Sequence, residues 1–131
     1  MEIINVLVAA AASYAFGAVW YMALAKPWVQ AAGLETDENG RPANSGDTTP
    51  FIVSGVASIV VAGMMRHMFS LSGIDTPAKG IVAGLGIGVF LVVPWLATNY
   101  TFAGRSRRLV MIDGGYAVGG CTIMGLVLTL F

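Results

Sequence analysis

Residues 80–103 read GIVAGLGIGVFLVVPWLATNYTFA, 24 residues without a charge. At 1.5 Å of rise per residue, such a run makes a helix of about 36 Å, enough to cross a hydrocarbon core of about 30 Å. The run is continuously apolar and does not alternate with period two, so it predicts a helical span and not a barrel strand. Asp75-Thr76-Pro77 stands just ahead of it, a helix start with proline at the first helical position.

Three similar runs surround this one. Residues 3–25 carry no charge. A signal peptide is not expected there: the only charge ahead of the run is Glu2, and the apolar stretch exceeds the usual h-region. Asp47-Thr48-Thr49-Pro50 repeats the start signal, and residues 51–65 are again uncharged. Fifteen residues are too few to span, so this helix is expected to continue to about Leu71, with Arg66 snorkelling to the headgroups. Residues 109–131 hold one charge, Asp113. The sequence therefore predicts an all-α, integral membrane four-helix bundle. Its spans lie at about 3–25, 50–71, 77–102 and 109–130, and residues 1–131 form a single transmembrane domain.

Composition agrees. Of 131 residues, 56% are hydrophobic and 11% charged, less than half the charge of a soluble domain, where roughly 25% is usual. Disorder is excluded by the same figures. Seven basic residues balance seven acidic ones, which leaves no basic excess for a nucleic acid. Cys121 is the one cysteine and sits in an apolar run. A disulfide, a CxxC centre or a thiolate metal site is thereby excluded, and Cys121 reads as a packing residue. His67 is the one histidine. It reads as an interfacial residue beside Arg66 in preference to an axial ligand for haem or chlorophyll, and no metal or cofactor is expected.

The polar stretch 26–49 contains Glu35, Asp37, Glu38, Arg41 and Asp47. Asn39-Gly40 and Asn44-Ser45-Gly46 predict turns. Residues 28–34 suit a short interfacial helix with Trp28 at headgroup level. Lys26, Arg41, Arg105, Arg107 and Arg108 flank one membrane face, against Arg66 and Lys79 on the other. This bias puts loops 26–49 and 103–108 in the cytoplasm and both termini in the periplasm of a bacterial inner membrane.

Small residues mark packing faces. Gly80, Gly84 and Gly88 repeat every four residues, as do Gly115 and Gly119; Ala11 and Ala15, and Ser13 and Gly17, do the same in the first span. Such faces let backbones approach closely, either inside the bundle or against a partner. Pro94 is expected to kink the third span near Phe90.

Polar and aromatic residues gather at the cytoplasmic end: Trp20, Tyr21, Asn99, Tyr100, Asp113 and Tyr116, below Arg105 and Arg108. Asp113 and Tyr116 share a helix face. A carboxylate in a span costs about 2.5–3.5 kcal/mol at the bilayer centre and less towards the interface. Asp113 is therefore expected to bond to Arg105, Arg107, Arg108 or Lys26, with Asn99 and the tyrosines donating. Such a network ties the first, third and fourth spans together; a ligand, ion or proton site is the alternative.

These residues carry a family resemblance. Gly17-xx-Trp20-Tyr21, Trp28, Asn99-Tyr100-x-Phe102-xx-Arg105 and Leu109-xx-Ile112-xx-Gly115-Tyr116 look like the pattern of the bacterial DUF1761 family, small four-helix membrane proteins of unknown function. The resemblance runs over nearly the whole chain in order, apart from the polar loop and the middle of the chain. It implies the four-helix architecture and no reaction, and it singles out Trp20, Tyr21, Asn99, Tyr100, Arg105 and Tyr116.

Three functions stay open. The first is a non-catalytic accessory subunit packed against a larger membrane complex, respiratory or light-harvesting for example. A small oligomeric transporter or channel comes second, with Asp113 and Asn99 near its cytoplasmic mouth. It departs from the small multidrug transporters, which place a glutamate in the first helix. A membrane enzyme comes last, since HExxH, GxSxG, CxxC and paired intramembrane carboxylates are absent. The expected partners are the lipid bilayer and a protein reached through helix–helix contacts, either another chain or a second copy.

Overall fold

The computed structural model describes residues 2–38, 42 and 46–131. Five helices follow one another: α1 (Glu2–Ala23), α2 (Ala25–Ala32), α3 (Thr49–Ser72), α4 (Pro77–Phe102) and α5 (Arg107–Leu128). No strand occurs among the described residues, only an isolated antiparallel bridge between Thr36 and Pro42. Helices α1, α3, α4 and α5 are long and apolar enough to cross a membrane. They are the four predicted spans, displaced by no more than two residues at any end. The turns expected at Asn39-Gly40 and Asn44-Ser45, and the loop charge Arg41, lie outside the described residues.

Helix boundaries follow local chemistry. Pro27 has no N–H to give the Ala23 carbonyl, and α1 ends there. The Trp28 amide still reaches the Leu24 carbonyl at 2.9 Å, so α2 restarts at once. It stops at Gly33, in the left-handed conformation with φ 67°. Thr76 Oγ1 accepts the Lys79 amide ahead of α4, and Ser106 Oγ accepts the Leu109 amide ahead of α5. Before α3 the N-cap position is Thr48, whose side chain makes no capping bond; Asp47 Oδ1 accepts the Thr49 amide at 2.9 Å instead. That bond holds the Asp47 carboxyl below its usual range.

Helices α1 and α5 form the centre. Helix α3 packs on α1, and α4 packs on α5. The α4–α5 contact is a glycine seam. A Cβ at Gly84 would collide with the Cys121 carbonyl, one at Gly80 with the Gly125 carbonyl, and one at Gly88 would lie 2.6 Å from Val118 Cα. Gly115 and Gly119 face α1, where the Trp20 and Phe16 rings fill the space; a Cβ at either would sit 2.5 Å from those rings. The small faces on α4 and α5 are thus filled from within the chain.

The buried core occupies the half away from the polar loop. Ala9, Ala10, Ala62, Met65, Phe69, Met124 and Leu128 form it, with Ala83 and Ile87 of α4 against it. In that half all four spans converge. Arg66 does not simply snorkel there: its Nη1 donates to the Leu128 carbonyl at 3.2 Å, and its Nη2 lies 4.0 Å from Glu2. Asn5, 2% exposed, donates to the Val127 and Phe131 carbonyls. Both side chains therefore donate to carbonyls at the end of α5, where the last turn lacks onward helical partners; the Val127 carbonyl also takes the Leu130 amide.

Pro94 does not break α4. Gly88–Val92 forms a π turn, and the Val93 amide bonds to the Gly88 carbonyl. The wider turn takes up the disturbance caused by a proline that donates nothing.

Candidate functional site

Beyond the core, towards the polar loop, α3 and α4 separate. Between them lies a cleft of about 320 Å³ whose floor is α5 and α1. Ser54 and Ser58 line one wall, Val92 and Leu96 the other, and Ser13 and Asp113 are on the floor. Val92 belongs to the π turn, so the irregular part of α4 forms part of the cleft wall.

Asp113 is held by two tyrosines. The Tyr21 hydroxyl donates to Oδ1 at 2.6 Å and the Tyr100 hydroxyl to Oδ2 at 2.7 Å. These are short charge-assisted bonds, and they tie α1, α4 and α5 together at one point. An ionised carboxylate offers about four acceptor positions, so two are left over. The third tyrosine, Tyr116, lines the same cleft. Its ring meets Tyr21 edge to face at 5.4 Å and lies over Phe16 at 6.2 Å. Trp28 of α2 completes the aromatic layer, edge-on to Tyr21 at 5.9 Å.

The expected arginine partnership is not what the structure contains. Arg105 Nη1 donates to the Ala32 carbonyl at 2.9 Å, and Ser106 Oγ donates to the Ala31 carbonyl at 3.0 Å. Together they fasten the C-terminal end of α2, where a cation is favoured by the helix dipole. Lys26, Arg107 and Arg108 are exposed. Asn99 is exposed too, and it forms no hydrogen bond to Asp113. The physical reason is distance along the helices: Asp113 lies more than a turn inside α5, deeper than the loop arginines, while the long tyrosine side chains reach inward from near the ends of α1 and α4. The salt bridges among the described residues, Arg66 with Glu2 and Lys79 with Asp75, both lie at the opposite end.

Of the eight polar and aromatic residues singled out, Tyr21, Tyr100, Asp113 and Tyr116 come together in the cleft. Trp20 lies beside them: its Nε1 donates to the Ile112 carbonyl at 2.9 Å, and its ring covers Gly115. Arg105 lies in the loop above and Arg108 in the first turn of α5, both exposed, and Asn99 is exposed and does not line the cleft. Ser13, 2% exposed, lines the cleft with Ser54 and Ser58, three serines that look scattered in the sequence. The position of Ser13 one to two turns from Gly17 and Tyr21 on α1 was the available signal. His67 is exposed and borders a separate groove with Glu2 and Arg66, far from Asp113. No group of three or more candidate metal ligands occurs among the described residues.

Residues 4–129 match the model of a family described as "Protein of unknown function (DUF1761)". No curated protein and no solved structure matches the chain.

Proposed function

The chain belongs to the DUF1761 family of unknown function, and for this member we propose a small membrane transporter or solute-binding protein that works through the Asp113 cleft. One observation carries the reading: a carboxylate lines a cavity between membrane-spanning helices, bonded by two hydroxyls and by no basic side chain among the described residues. Ionisable groups at such depth are costly, and they commonly mark substrate, ion or proton pathways. The π turn and Pro94 in the adjoining wall give α4 a place to bend. In the orientation set by the positive-inside bias, the cleft opens in the cytoplasmic half of a bacterial inner membrane, with both termini periplasmic.

The second reading is an accessory subunit of a larger membrane complex, binding partners and not reacting with them. The glycine faces no longer argue for it, because they are filled within the chain. What favours it is the broad apolar exterior of α4, where Trp95 is 70% and Phe102 90% exposed. Extraction in mild detergent, native sizing and mass spectrometry of co-migrating chains separate the two. The transporter reading expects this chain alone or in copies of itself. A stable larger complex of defined composition would favour the subunit.

A further inference from the structure

Resting on the reading of the cleft as a binding site, we infer that its ligand is an organic ammonium ion carrying an apolar group. Three features of the cavity converge on that class. The first is charge. Asp113 keeps acceptor positions free after taking the Tyr21 and Tyr100 hydroxyls, and no basic residue lines the cleft among the described residues.

The second feature is the kind of polar group present. Tyr21, Tyr100 and Tyr116 line the cavity beside the carboxylate. Two of them direct their hydroxyls at its two oxygens, and Tyr116, which makes no bond to the carboxylate, adds its ring to the cavity lining. Ring faces attract alkylated ammonium groups within about 6 Å, and more strongly where water is excluded. An inorganic cation could use the carboxylate and hydroxyl oxygens but would leave the apolar wall unused. An anion would meet Asp113 at close range.

The third feature is the remainder of the wall. Val61, Val92, Leu96 and Met124 are apolar, and Ser13, Ser54 and Ser58 supply only neutral hydroxyls. About 320 Å³ is at the lower end of small-molecule sites. A single ring or short alkyl chain bearing the ammonium group fits that volume.

The test uses the full chain in nanodiscs of phosphatidylglycerol, which carries no ammonium headgroup. Calorimetric titration compares benzyltrimethylammonium with neopentylbenzene, its uncharged isostere, and with phenylacetate. The inference expects saturable binding of the cation, at least tenfold tighter than either comparison compound. Asp113→Asn should weaken the cation at least tenfold, and Tyr116→Leu should weaken it without touching the Asp113 bonds. The comparison of three probes on the unaltered chain holds even where a variant fails to fold. Equal binding of cation and isostere, or tighter binding of phenylacetate, would overturn the ammonium assignment and leave the cleft a binding site. If none of the three binds and the chain co-migrates with a larger complex, the inference and the transporter reading fall together.

Discussion

The Tyr21 hydroxyl donates to Asp113 Oδ1 at 2.6 Å, joining residues 92 positions apart in the chain. Tyr100 makes the matching bond to Oδ2. One carboxylate thereby fixes the relative height of α1, α4 and α5. Hydrogen bonds to charged groups contribute about 1.5–3 kcal/mol in water-soluble proteins, whereas bonds between membrane helices average about 0.6. Tyr21→Phe and Tyr100→Phe should each lower stability by about 1–2 kcal/mol. Reversible unfolding in mixed micelles measures this. In a double-mutant cycle, each effect should shrink when Asp113 is already Asn; undiminished effects would mean that the hydroxyls act elsewhere.

The glycine seam predicts a contrast within α4. Gly84→Ala forces a methyl group into the Cys121 carbonyl and should cost about 1–3 kcal/mol by overpacking. Gly86→Ala meets nothing within 4 Å and should be neutral or slightly stabilising, since alanine favours a helix over glycine by up to about 1 kcal/mol. Thermal unfolding of the two variants side by side checks it.

How far these arrangements could be read in advance depends on what determines them. The spans follow from composition and run length, so their limits were legible to within two residues. Gly80, Gly84 and Gly88 were legible as a close-approach face, because spacing alone puts them in line. Which surface they meet was not legible: Cys121 and Gly125 lie about 40 residues further on, and only the packed bundle pairs them. Asp113 stood out as a charge in an apolar run. Its tyrosine donors and the tie between the first, third and fourth spans were legible; the expected basic partners were not found, because charge complementarity says nothing of reach. The aromatic residues, each ordinary as an interface anchor, gain meaning only when α1, α4 and α5 place three tyrosines around one carboxylate.

At the other end of the bundle, Asn5 sits in the first turn of α1, where a single polar residue carries no sequence signal of its own. Its amide supports the Val127 and Phe131 carbonyls. Asn5→Ala should destabilise the chain by about 0.5–1.5 kcal/mol, the usual net contribution of an intramolecular hydrogen bond. Hydrogen exchange should show the loss in the last turn of α5 and leave the Asp113 end protected.

Asp47 supplies a pH dependence outside the membrane. Its carboxyl is held low chiefly by the Thr49 backbone amide. A group with a lowered folded pKa stabilises above its unfolded value, and that contribution is lost as pH falls through the folded one. The start of α3 should therefore fray on acidification below the ordinary carboxylate range, seen as faster exchange of the Thr49 amide. Asp47→Asn should remove most of that pH dependence.

The central claim is that Asp113 presents an unneutralised negative charge to an accessible cleft, and charge-selective labelling tests it most directly. With Cys121 replaced by alanine, Ser54→Cys puts a lone thiol on the cleft wall. Cationic and anionic methanethiosulfonates of similar size are then compared in nanodiscs. The account predicts that the cationic reagent reacts at least about tenfold faster, equivalent to about 1.4 kcal/mol of attraction, and that Asp113→Asn brings the ratio close to one. Equal rates with Asp113 in place, a ratio indifferent to its replacement, or a thiol that neither reagent reaches would contradict it.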